Sequence, residues 1–357
     1  MYIALHQGKF QIKRMPDTGA FHAPDCASYD PPEELSGLGQ VQGSAIEEDV
    51  DSGNTLLKLD FPLSVRGASR PPIMGDGDGA TEAKDTPRKL TLTAMLHYLW
   101  HDGDLVKWVP AMEGKRWWGV VRGALLRAAS NKQAKGGAIT DKLYIPEPFN
   151  KDRNAAAVAR RRTFFANLAQ SSASSTPLGI LISEYKSHEP TRMGAKFVFK
   201  HLPGCTFFAS ADFLKQFDKV FEDPLVMADM IEGGHAMVIA TFKVEKAGYP
   251  VLHELGMMVT DRNWLPVEHL REVDLVNQAV VQNRRFTKSL RFNLSRKVPI
   301  ASLVLTDTAR PTALFVANTA KDADAIDAFA DDADDTPYDS WIWAGDAEMP
   351  ELPKGRG

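Results

Sequence analysis

Carboxylates two residues from a lysine on a strand can hold a divalent ion at a scissile phosphate and steady the attacking water, and this chain has one such pair on a strand end, Glu184-x-Lys186 in LISEYKSHEP. Alternation along a strand turns both side chains to one face, which suits a metal site and suits a surface ion pair equally. No Asp precedes the pair by one strand. A second candidate acid, Asp307, follows the apolar run Pro299 to Thr306, but the next run, Thr312 to Ala317, contains no titratable residue. One acid cannot build a two-metal site, so the metal-dependent nuclease reading stands behind the others and Asp307 reads equally as a turn residue. His22 and Cys26 are separated by three residues, a spacing that two ligands of one zinc can have. They make half of a tetrahedral site, and His6 and His253 are the histidines available to complete it. His188 and the His235 of Gly233-Gly234-His235 stand alone and read as structural. No nucleophile elbow, P-loop or dinucleotide fingerprint occurs, which leaves conventional hydrolase, kinase and dehydrogenase readings without support.

Basic residues are the stronger signal. Arg284 to Lys297 holds six Lys or Arg and no acid, interleaved with Phe286 and Phe292. Lys107 to Arg162 holds thirteen Lys or Arg against four acids, including Arg116, Arg122, Arg127, Arg160 and Arg161. By contrast, Lys321 to Glu351 holds one Lys against eleven acids. Segregation of this size inside a chain of net charge −4 points to an anionic partner for the basic segments or to the acidic segment folding over them. DNA, single- or double-stranded, is the expected partner, with Arg284, Arg285, Lys288 and Arg291 on one side next to the basic helices and, on a duplex, a salt dependence of about 0.9 log unit per phosphate neutralised. Dispersal or burial of those four side chains would instead favour a protein-interaction scaffold, with the acidic segment as its docking surface.

The elements that must position these residues follow from periodicity. The 357 residues suffice for two or three domains, and 44% hydrophobic with 25% charged residues is ordinary for a globular protein. No run reaches the roughly 18 apolar residues of a membrane span, and no signal-peptide apolar region opens the chain. With only Cys26 and Cys205, no disulfide framework is indicated, and a cytoplasmic, reducing setting is expected. Met1–Leu5 and Lys9–Lys13 form a hairpin, and Leu56–Phe61 forms another strand, within an N-terminal β region of residues 1–65. Residues 66–90 read as a Gly- and Pro-rich linker. Thr91 or Thr93 caps a helix, a second runs from Lys115 to Gln133 with Trp117 and Trp118 inward, and LYIPEPF is extended, so 91–175 resembles a winged helix-turn-helix.

Within 176–345, hairpins at Leu178–Lys186 with Met193–His201 and at His235–Glu245 with Val251–Thr260 flank a helix from Asp212 to Ile231 that breaks at Asp223-Pro224. A helix at Val267–Asn283, a meander of Ser289–Asn293, Pro299–Thr306 and Thr312–Ala317, a helix at Lys321–Ala330 and a strand at Ser340–Ala344 complete it. That order matches a restriction-endonuclease-like core, degenerate here because the third strand lacks its acid. Residues 346–357 read as a tail. The expected class is α+β.

The run from His22 to Ile46, HAPDCASYDPPEELSGLGQVQGSAI, together with LHYLW, KLYIPEPF, KHLPG and RRFTKSLRFNL, resembles a family known only as domain of unknown function eleven-seventy-three. Its members occur on plasmids and integrative conjugative elements of proteobacteria, which implies an accessory protein of a mobile element. Longer members carry a Cys-x-Cys segment upstream, and the resemblance implies that His22 and Cys26 would share a zinc ion with it in an N-terminally longer form.

Overall fold

The computed structural model describes residues 2–6, 9–13, 15, 18–65, 89–170, 175–317, 319, 322–324, 326, 336–345 and 347–356. Most of the 66–90 linker and most of the Lys321–Ala330 helix lie outside them, although residues 322–324 and 326 are helical. The architecture is α+β, with several sheets and the helices packed between and around them. None of the described helices is long and apolar enough to cross a membrane.

Helix α1 (Leu92–Asp102) starts where the Thr91 hydroxyl accepts the N–H of Ala94. Helix α2 (Trp118–Ala129) buries Trp118, Val121, Ala124, Leu125 and Ala128, whereas Trp117 is 57% exposed. The pair of tryptophans therefore divides between core and surface. Helix α3 (Asn154–Leu168) buries only Arg161, Phe165 and Leu168. Helix α4 (Ala211–Met230) is capped by Ser210 and runs unbroken through Pro224. The expected break does not form, because Phe213, Phe217 and Phe221 before the proline and Ala228 after it are all buried in one core, and that packing outweighs the lost backbone bond. Helix α5 (Leu270–Val281) is capped by His269.

The largest sheet contains the two predicted hairpins. Gly179–Thr191 pairs with His235–Val244, which pairs with Pro250–Thr260; Phe207–Ser210 follows, then Gly194–Phe199, which returns to Gly179–Thr191. The pairings close a ring. Gly179–Thr191 can serve both neighbours because it shifts register between Tyr185 and Ser187, a bulge at Lys186 that bends the strand. The hairpin turn lies at residues 192–193, so His188-Glu189-Pro190 belongs to the strand. Ile180, Ile182, Met237 and Ile239 on one face pack with α1 and α2, and Leu181, Val238 and Phe242 on the other with α3 and α4.

The C-terminal sheet has the order Asp339–Ala344, Thr312–Ala317, Leu303–Leu305, Phe286–Lys288, Lys107–Trp108. Its first meander strand is Phe286–Lys288, earlier than Ser289–Asn293, which leaves the sheet to meet α1. There the N–H of Phe292, whose φ is +52°, bonds His97 Nδ1, and Asn293 accepts from Thr91. Thr55–Leu57 pairs in parallel with Lys132–Ala134, and a single apolar cluster extends from Val41 to Phe292. The N-terminal and middle regions thus share both a sheet and a core.

Candidate functional site

The basic residues of the C-terminal sheet do not make the expected surface. Arg284, 5% exposed, bonds both carboxylate oxygens of Asp307 at 3.0 and 2.7 Å and the carbonyl of Pro353 at 2.5 Å. Lys288, 3% exposed, donates to Glu272 and to the Ser302 carbonyl, each at 2.6 Å. Arg291 bonds Glu268 at 2.6 Å and the carbonyls of Ser295 and Val298. Only Arg285 of the four is exposed, its backbone N–H on Asp307. Two of these commitments come from α5, where Glu268 at its entry takes Arg291 and Glu272 in its first turn takes Lys288; the third comes from Asp307, which takes Arg284.

The middle segment is similarly committed. Arg116 bonds the carbonyls of Leu105, Lys107 and Asn263 and lies over the Trp108 ring, and burial lowers its pKa to about 10. Arg122 bonds the Ile145 carbonyl and Arg160 grips Glu147 at 2.7 and 2.6 Å; Arg161 is buried and Arg127 exposed. The C-terminal residues are no free tail: Leu352 is buried, Trp341 donates to the Glu351 carbonyl, and the Arg356 N–H reaches Asp307.

Glu184 is at the centre of the best-built polar cluster, without Lys186. The bulge turns Lys186 to solvent, which corrects the same-face expectation, and Lys200, just past the end of the neighbouring Gly194–Phe199 strand, takes the place beside Glu184. Glu184, 3% exposed, accepts at the same oxygen from Lys200 Nζ and from His235 Nδ1, the latter at 2.9 Å. Burial pushes its carboxyl up, but His235 and Lys200 outweigh that and hold its pKa below the ordinary carboxylate value. The His235 ring stacks on Trp264 at 3.8 Å, Trp264 adjoins Trp118 at 5.9 Å, and Trp118 stacks on His201 at 5.5 Å. His201 and Trp264 both hold left-handed backbones, φ +64° and +62°, uncommon for such side chains. At Trp264 this conformation is enforced by Asp261, whose carboxylate accepts the N–H groups of Asn263 and Leu265, and by Trp100, which donates to the Trp264 carbonyl. Local spacing gives no sign of His235 and Lys200 as partners of Glu184, because they stand 51 and 16 residues from it.

His22 Nδ1 lies 3.8 Å from Cys26 Sγ, so the two are neighbours. Among the described residues, no group of three or more His, Cys, Asp or Glu side chains is placed to hold a metal ion. Among the described residues, both ring nitrogens of His253 are buried without hydrogen-bond partners at a second bulge, opposite Thr241 and Phe242, and the pair at residues 22 and 26 gains no ligand from it.

The N-terminal hairpin carries the opposite feature, apolar side chains left in solvent. Ile3 is opposite Ile12 in register, and Phe10 shares the face of Ile12 two residues away. Their exposures are 69, 75 and 80% for Ile3, Ile12 and Phe10. The hairpin pairs with no further strand among the described residues.

Residues 1–345 match the family described as protein of unknown function, DUF1173. The chain belongs to the DUF1173 family. The match spans the hairpin, the Glu184 cluster and the C-terminal sheet alike, so all three are parts of the family's common extent in this chain. No curated protein and no solved structure shows significant similarity to it.

Proposed function

We propose that this DUF1173 chain is an accessory protein of a mobile element that acts as a protein-interaction scaffold in a conjugation or maintenance complex, docking through its N-terminal hairpin. The observation that carries this reading is the exposed face of Ile3, Phe10 and Ile12. An isolated two-stranded hairpin is marginal in water, and an exposed apolar face on one is the usual mark of a surface awaiting a protein partner. Commitment of Arg284, Lys288, Arg291, Arg116 and Arg160 to internal acceptors withdraws the support that duplex binding through them had. In this reading the C-terminal sheet is a structural layer, a degenerate restriction-endonuclease-like core whose Asp307 serves Arg284. Helices α1 and α2 are then a winged-helix-like layer used for packing.

The test is co-purification from cells carrying the element, comparing the wild-type chain with the triple variant Ile3→Ser, Phe10→Ser, Ile12→Ser. A discrete element-encoded protein should accompany the wild type and be lost from the variant. Retention of the same protein by the variant would refute docking through the hairpin. Deletion of Lys321 to Gly357 is a poor substitute, because it removes the Asp339–Ala344 strand and the buried Leu352.

A further inference from the structure

A second interaction surface, of different chemistry, lies where the 145–153 loop meets the end of the Gly194–Phe199 strand. Trp118 Nε1 donates to the Pro146 carbonyl at 2.9 Å and Arg122 to that of Ile145 at 3.0 Å, so the loop is pinned to α2. It delivers Phe149, whose N–H bonds His201 Nδ1 at 3.2 Å and whose side chain stays 55% exposed. The Asn150 carboxamide then accepts the N–H groups of Asp152 and Arg153, which fixes the turn that leaves Lys151 and Arg153 in solvent. Next to His201 is Lys200, its side chain 43% exposed and steered by Glu184. One exposed aromatic ring on a pinned loop is thereby followed within four residues by two exposed cations, Lys151 and Arg153. Acids near it in sequence or through Lys200 are Asp152, which is exposed, Glu147, engaged by Arg160, and the buried Glu184.

We propose that Phe149, Lys151 and Arg153 form a binding site for single-stranded nucleic acid. An unpaired base stacks on Phe149 and the backbone phosphates meet the cations, the combination by which sequence-tolerant single-strand sites work. Duplex DNA keeps its bases stacked on each other and cannot use Phe149, so the site discriminates between strands by structure. The scaffold would then tether a single strand to the assembly that its hairpin engages.

The test is fluorescence anisotropy of the full chain with a labelled thymidine oligonucleotide and with a labelled duplex, at about 50 and about 200 mM salt. The single strand should bind more tightly than the duplex. Phe149→Ala should weaken it about tenfold with the salt slope kept. Lys151→Ala with Arg153→Ala should flatten the slope by about 1.4, at about 0.7 for each phosphate left without its cation. All three residues are exposed, so melting temperatures should not move. Absence of single-strand binding at the lower salt, equal binding of the duplex, or unchanged binding by both variants would each overturn the proposal. The hairpin variant should bind the oligonucleotide like the wild type, which keeps this outcome separate from that of the scaffold reading.

Discussion

Arg284 and Asp307 meet through two hydrogen bonds, of 3.0 and 2.7 Å, with 7 and 16% of their side chains exposed. Residues that the sequence assigns to separate tasks, phosphate binding and metal chemistry, satisfy one another. The same guanidinium also takes the Pro353 carbonyl, so the pair clamps the C-terminal segment to the sheet.

Arg284→Ala takes the guanidinium from the Pro353 carbonyl and from Asp307, which keeps the Arg285 N–H, and breaking a buried pair from one side costs about 3 kcal/mol. Arg285→Ala, at an exposed side chain, should cost less than about 0.5 kcal/mol. Urea denaturation of the two variants checks the contrast. Equal stability would mean that the bridge contributes nothing.

Glu272 and Lys288 make the corresponding pair in the interior. Burial raises the Glu272 carboxyl, but the Lys288 ammonium and the Glu268 N–H reverse this and leave its pKa below the ordinary value. A lowered folded pKa stabilises fully above the unfolded value of about 4.3 and is lost as pH falls through the folded one. Lys288→Met strands the carboxylate, so the variant should lose about 3 to 5 kcal/mol at neutral pH. The gap to wild type should narrow at about pH 4, where the stranded carboxyl is protonated. A gap independent of pH would contradict the assignment.

Glu254 has the opposite sign. Burial, and then the charge of Asp60, push its pKa up to about 7. Here the folded state resists ionisation, so stability declines as pH rises from the unfolded value of about 4.3 towards 7 and is level above that. Glu254→Gln should be the more stable form at about pH 8, by at most about 4 kcal/mol, and should lose that advantage near pH 4. Matched thermal melts at the two pH values decide it.

Local pattern made much of the fold legible, and long-range partnership made the site largely illegible. Thr91 or Thr93 before an apolar periodic run announced α1, which Thr91 caps, and the alternating runs of the large sheet lie close to their expected limits. Pro224 misled because propensity is blind to the phenylalanine stripe that carries α4 through it. Lys186 misled because strict alternation ignores bulges, and one extra residue moved it to solvent. Arg284, Lys288 and Arg291 misled because a run of cations in sequence carries no sign of Asp307, Glu272 and Glu268, which folding brings to them. Glu184 was legible as a residue type, whereas His235 and Trp264, which define its surroundings, were not.

The most direct measurement is site-specific photo-crosslinking in cells that carry the element, with the photoreactive residue placed at Ile3, at Ile12, or at Met193. Met193, 88% exposed at the turn of the Gly179–Thr191 hairpin, is the control for chance encounter. The account predicts one discrete protein adduct from positions 3 and 12 and none from 193. Adducts absent from all three positions, or equally abundant at 193, would contradict docking through the hairpin.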